Sequence, residues 1–168
     1  MEKIWPNMLI LGASMEPITA FLLERGMKTL GIRMEKHNRN VQNVAKFLKD
    51  HEEIEMVFHP TLPDYSQKEL LNKYLKVGAG GVVTFVVKGG DKRGVNFMHS
   101  LKIIKEAASL GGVESLISMP FNTSQRSLTP DERIEIGILP GTLRLSCGIE
   151  DEYDLIEDIN QALLKTSK

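Results

Sequence analysis

The chain has 168 residues, 42% of them hydrophobic and 26% charged, with a net charge of −1. That is enough chain for one domain with a core and too little for two large ones, and so even a charge gives no electrostatic reason to expect nucleic acid or anionic lipid as a partner. No apolar run reaches membrane-spanning length, residues 1–6 lack the blocks of a signal peptide, and a single cysteine, Cys147, excludes an internal disulfide, so a cytoplasmic location is expected.

Taken in order, Met8 to Leu11 is apolar and leads into Gly12-Ala13-Ser14-Met15-Glu16-Pro17, where Ser14 with Pro17 predicts a helix start. Ile18, Phe21, Leu22 and Arg25 follow at helical spacing, and Gly26 is expected to break or cap that helix. A long helix is predicted from Leu30 to Asp50, with Leu30, Met34, Val41, Val44, Ala45 and Leu48 on its apolar stripe. The period then changes: Ile54, Met56 and Phe58 alternate with Glu55 and Val57, which predicts a short strand. His59 to Asp64 reads as a rigid loop and Ser66 to Leu75 as a polar helix.

Gly78 to Gly81 predicts a turn, and Val82 to Val87 is the most strand-like run in the chain. Gly89-Gly90 ends it, and Asp91 to Leu101 carries a helical pattern. Lys102 to Ala108 reads as a strand, Val113 to Ser118 as a further short strand or extended piece, and Pro120 to Leu128 as irregular. Thr129-Pro130-Asp131-Glu132 opens a short helix, with Thr129 as cap. Thr142 to Ser146 is a strand with Leu143 and Leu145 on one face and Thr142, Arg144 and Ser146 on the other. Gly148 ends it, Glu150-Asp151 open the last helix, and Leu155, Ile156, Ile159, Ala162 and Leu163 form its apolar face.

Several connections are too short for parallel crossovers. The expected fold is therefore α/β in the two-layer α+β sense, a mostly antiparallel sheet with helices on one face. With no repeat, low-complexity segment or linker, residues 1–168 are expected to form a single domain.

Little chemistry follows from the residue types alone. His37, His51, His59 and His99 have no second ligand at helical spacing, so no metal site is expected and all four read as solvated or loop residues. Gly78 to Gly81 and Gly111-Gly112 lack the spacing of a phosphate cradle and read as turns. Met8, Met15, Met27 and Met34 read as gap-fillers in a core or an interface, and Cys147 as a small buried residue. What remains is Arg144 on a polar strand face, Ser109 before a pair of glycines, and Ser124 with Gln125 in the irregular loop. A guanidinium with serine hydroxyls and backbone N–H groups makes a carboxylate clamp; the competing reading is an arginine paired with a nearby Asp or Glu.

Three stretches carry a resemblance. Gly12-Ala13-Ser14-Met15-Glu16-Pro17 with Leu23-Glu24-Arg25-Gly26-Met27-Lys28-Thr29-Leu30 and Arg33-Met34 form the first; Ser109-Leu110-Gly111-Gly112-Val113-Glu114-Ser115-Leu116-Ile117 and Leu143-Arg144-Leu145-Ser146-Cys147-Gly148-Ile149-Glu150-Asp151 are the others. Together they resemble the Cys/Met-metabolism group of pyridoxal-phosphate enzymes, which includes cystathionine synthases and lyases, methionine gamma-lyase and O-acetylhomoserine sulfhydrylase. The resemblance implies a fold like the small C-terminal domain of fold-type I pyridoxal-phosphate enzymes. It also implies a cytoplasmic homo-oligomer (a tetramer in the family), and an upstream cofactor domain that supplies the Schiff-base lysine and most of the pyridoxal 5'-phosphate site.

Carried over residue by residue, Arg144 would bind the substrate's α-carboxylate. Ser109 would help to hold it and orient the reactive lysine, with Leu110 beside it, and Ser124 stands where the family commonly has a threonine. Gln125 replaces the family's usual histidine, and Ala108 stands where cystathionine enzymes often have glutamate, so the individual reaction is left open between elimination and replacement, lyase and transferase. On this reading the chain is the substrate-carboxylate half of an enzyme of sulfur amino acid biosynthesis, inactive alone. The other reading is a non-catalytic binding or oligomerisation module that kept the fold.

Overall fold

The computed structural model describes residues 4–12 and 15–167. They divide into two units, 1–32 and 33–168. In the first unit, α1 (Trp5–Leu11) has proline at its first turn, and α2 (Pro17–Met27) begins after Glu16 in extended conformation. The predicted start at Ser14 lies outside the described residues, and Gly26 neither breaks nor caps the helix, which continues to Met27. None of the residues of α1 or α2 is buried. Met8, Met15 and Met27 are exposed, not core fillers, as is Met34 beyond the unit boundary.

α3 (Leu30–Asp50) has the predicted bounds. Its part within the second unit buries Val41, Val44, Ala45 and Leu48, whereas Leu30 and Met34 at its start are exposed. The second unit continues with β1 (Ile54–Phe58), α4 (Lys68–Tyr74), β2 (Val82–Val87), α5 (Gly90–Ser100), β3 (Lys105–Glu106), β4 (Leu116–Ser118), α6 (Pro130–Glu135), β5 (Thr142–Ser146) and α7 (Glu152–Lys165). The sheet order is β1-β2-β5-β4-β3, antiparallel throughout except for the β3–β4 pair.

Register explains which side chains meet the helices. Val57 faces Phe85, and Phe85 faces Leu143; Leu145 is opposite both Val83 and Ile117. Residues directly opposite share a sheet face, and this set packs with Val41, Val44 and Leu48 of α3, Phe97 of α5 and Leu155, Ile159 and Leu163 of α7 in one core. The second unit adopts the expected two-layer arrangement, with α3, α5 and α7 packed on a mostly antiparallel sheet.

Two local expectations are corrected. A register irregularity between Ile54 and Met56 breaks the alternation of β1. A bulge of this kind rotates the following residues to the other face, so Val57 is buried with Ile54 while Met56 and Phe58 are exposed. The strand predicted over Lys102 to Ala108 shrinks to two residues. Its start is taken by Asp158 of α7, a buried carboxylate that accepts from the backbone N–H groups of Lys102, Ile103 and Ile104 at 2.8, 2.9 and 3.0 Å. Those amides cannot then join a ladder. Within the run 113–118, read as a short strand or extended piece, Leu116–Ser118 forms β4 and the residues before it bond to the segment beyond β5.

The helix starts follow local chemistry. Thr129 caps α6 in a reciprocal capping box with Glu132. Asp151 caps α7, its Oδ1 accepting from the N–H of Tyr153 at 2.9 Å. Glu150, expected at that helix start, turns away from it to Ser115.

Candidate carboxylate site

The sheet face away from the helices carries a row of partners: Phe58 opposite Thr84, Thr84 opposite Arg144, and Arg144 opposite Ser118. Arg144 is thus flanked by two hydroxyl side chains on its own face. The turn 108–111 crosses beside it. Arg144 donates from Nη2 to the carbonyl oxygens of Ala108 and Ser109 at 3.1 and 3.2 Å. Two residues on, Ser146 Oγ accepts from the backbone N–H of Gly111 at 3.1 Å. Gly111 has φ +79°, a left-handed conformation that glycine adopts without penalty.

The contact continues beyond the strand. The Glu150 carboxylate accepts from the N–H of Ser115 at 2.6 Å and from its hydroxyl at 2.8 Å. Ser115 Oγ in turn accepts from the N–H of Gly148 at 2.8 Å, and Ile149 donates to the carbonyl of Val113 at 2.9 Å. Ser109 with Arg144, Gly111 with Ser146 and Ser115 with Glu150 are each separated by 35 residues. Residues 109–115 therefore run beside 144–150 in the same direction with three contacts of equal offset, whereas Leu116 and Ile117 at the end of the first motif pair antiparallel with Ser146 and Leu145.

α3 fastens the same segment from the other side. His37 donates from Nδ1 to the carbonyl of Cys147 at 2.7 Å, and Asn40 donates from Nδ2 to the carbonyls of Gly148 and Glu150 at 3.0 and 2.8 Å. The N–H of Cys147 bonds the carbonyl of Gly81 at 2.8 Å. His37, in α3, is buried and so is neither a solvated nor a loop residue as expected, whereas His59 is a loop residue as expected, though a buried one. Cys147 is fully buried, and burial, helped by the Glu150 charge, pushes its thiol pKa up to about 12. It is no nucleophile at neutral pH.

Arg144 enters no ion pair among the described residues, so the reading as a structural salt bridge is not adopted. Its Nε is buried and has no hydrogen-bond partner. A buried guanidinium N–H without an acceptor is costly, and a carboxylate is the acceptor that matches the planar fork. Ser109 and Leu110 are exposed on the adjoining turn. Ser124 is exposed in the turn after a short 3-10 segment, Pro120–Asn122, that packs against β5. Among the described residues no hydrogen bond joins Ser124 to Arg144 or to the 108–111 turn. No group of His, Cys, Asp and Glu among the described residues could hold a metal ion, and no helix is long and apolar enough to cross a membrane.

Sequence reasoning placed Arg144 and Ser109 side by side but missed Ser146, Ser115 and Glu150 as the groups that hold the two motifs together. No local pattern marks them, since the equal offset joins unlike residues: Ser109 with Arg144, Gly111 with Ser146 and Ser115 with Glu150.

Residues 2–164 match the family described as Cys/Met metabolism PLP-dependent enzyme. The chain is 43% identical to a cystathionine gamma-lyase of Dictyostelium discoideum over 92% of its own length and 40% of the relative's. It is also 43% identical to an L-methionine gamma-lyase of Porphyromonas gingivalis, over 92% of this chain and 38% of that one. A human cystathionine gamma-lyase matches at 43% identity over 91% of this chain and 38% of its own. The chain thus spans about two fifths of the length of these relatives.

Proposed function

The chain belongs to the Cys/Met metabolism PLP-dependent enzyme family, and from that premise we propose that it forms the substrate-carboxylate wall of an enzyme acting on a sulfur amino acid or an activated homoserine. The reaction class is β- or γ-elimination or replacement, and the chain is the enzyme's C-terminal domain, inactive by itself. The observation that carries this reading is the buried, unpartnered Nε of Arg144 beside the Ser109 turn. Arg144 fixes the α-carboxylate. Ser109 and Leu110 border the acid on the turn that Arg144 holds, and Ser124 contributes a hydroxyl from the loop after β4.

The chain's own residues do not fit pyridoxal 5'-phosphate. No lysine among the described residues is buried, whereas a Schiff-base lysine needs a desolvated setting to lose its proton at neutral pH. We therefore assign the cofactor mostly to an N-terminal domain outside this chain, in a cytoplasmic homo-oligomer. The exposed apolar side chains of α1 and α2, among them Trp5, Leu9, Ile10, Phe21 and Leu22, support such a partner, since a surface of that kind is ordinarily covered.

The test is Arg144→Ala in the enzyme formed when this chain is joined to its cofactor domain. The substrate KM should rise by the equivalent of about 2–4 kcal/mol of lost carboxylate binding, with kcat less affected. An unchanged KM overturns the assignment. The chain alone should stay colourless with pyridoxal 5'-phosphate; a yellow complex that depends on one of its own lysines would contradict the division of the site.

A further inference from the structure

We infer that Ser146 is the positioning residue of the carboxylate site, acting through the 108–111 turn to set the direction in which Arg144 presents its free donors. This rests on the carboxylate reading of Arg144 given above. Arg144 and Ser146 stand two apart on one strand, so both side chains rise from the same face about 7 Å apart. Each takes one end of the same turn: the guanidinium takes the carbonyls of Ala108 and Ser109, and the serine hydroxyl takes the N–H of Gly111.

The consequence is geometric. Both contacts that Arg144 makes to the turn use Nη2, so the turn's carbonyls determine how the guanidinium plane is rotated about its long axis. Nε is left buried and without a hydrogen-bond acceptor. The turn holds that orientation only while its far end is fixed. Ser146 is almost fully buried, so its hydroxyl is a preset acceptor and not one shared with solvent. Without it, Gly111 keeps its position only through the covalent chain, the Ser109 carbonyl can move, and the fork loses its reference. A substrate acid would then meet an arginine that must be ordered during binding, which costs affinity.

The experiment uses the 168-residue chain, ¹⁵N-labelled, and reads two signals: hydrogen exchange of the Gly111 amide and the Arg144 Nε–H resonance during titration with L-methionine. L-Methioninamide, which lacks the acid, is the control. Ser146→Ala should speed Gly111 exchange at least tenfold while the Phe85 amide in the central sheet stays protected, and should weaken the L-methionine response of Arg144 about fivefold or more. Ser146→Thr, which keeps the hydroxyl, should restore both signals in large part. Unchanged Gly111 exchange in Ser146→Ala, or unchanged affinity where the wild type binds, overturns the role of Ser146 and leaves the carboxylate reading standing. If wild-type Arg144 responds equally to the acid and the amide, the carboxylate reading fails, and the clasp is judged by the exchange data alone.

Discussion

Gly148→Ala is the change that should most directly expose how tightly the two motifs are joined. A β-carbon at this position would land on the carbonyl oxygen of Val113 and the carboxylate of Glu150, with the backbone carbon of Glu114 at 2.6 Å. The obstacles are mostly backbone, so the segment itself has to move. Overpacking of this kind costs about 1–3 kcal/mol. If Val113 retreats, Ile149 loses its acceptor, a net loss of about 1 kcal/mol, and a displaced Glu150 weakens a charged bond to Ser115 that contributes about 1.5–3 kcal/mol. Partial relaxation keeps these from adding fully, and the expected destabilisation is about 3 kcal/mol in urea unfolding. Gly31→Ala is the control: it lies in α3, has nothing within 4 Å of an added carbon, and should stabilise by about 0.5–1 kcal/mol. A loss below about 1 kcal/mol for Gly148→Ala would show that the motifs are not locked as described.

The Cys147 thiol, held protonated by burial, should react with a disulfide reagent at mildly alkaline pH only as fast as the chain opens, and rapid labelling of the native chain would contradict its placement. Because its folded pKa of about 12 exceeds the unfolded value of 9.0, its contribution to stability is full below pH 9.0 and falls as pH rises toward 12. His59 has the opposite sense: burial lowers its pKa below 6.5, so the unfolded chain takes up a proton that the folded chain resists. Stability should therefore drop as pH falls below 6.5, and His59→Gln should flatten that drop in thermal melts; an identical pH profile in the variant would refute the assignment.

How much of this was legible depended on whether the pattern was local. The bounds of α3, β2 and β5 follow from unbroken periodicity, although α3 buries only Val41, Val44, Ala45 and Leu48 of its predicted stripe and β5 buries Thr142 and Ser146 on its polar face as well. β1 shows why alternation alone fails: its apolar residues suit either face, and only pairing with β2 reveals the bulge that buries Val57 in place of Met56 and Phe58. The over-long strand at Lys102 failed for a long-range reason, since Asp158, more than fifty residues later, takes the amides that a ladder would have used. His37 read as a solvated or loop residue because its burial comes from the distant Cys147 segment, which no local period signals. For the site, residue types named Arg144 and Ser109, and the bond from the guanidinium to the Ser109 carbonyl is what joins them. The role of Ser146 needed the coordinates, because a serine on a polar strand face has no local mark that distinguishes a solvated hydroxyl from one holding a turn.

The most direct measurement of the central claim is a crystal structure of the complete enzyme with an unreactive sulfur amino acid bound. The account predicts its α-carboxylate within hydrogen-bond distance of Arg144 Nε, with Nη2 still on the carbonyls of Ala108 and Ser109. An acid group held elsewhere, with Nε still lacking an acceptor, would contradict it.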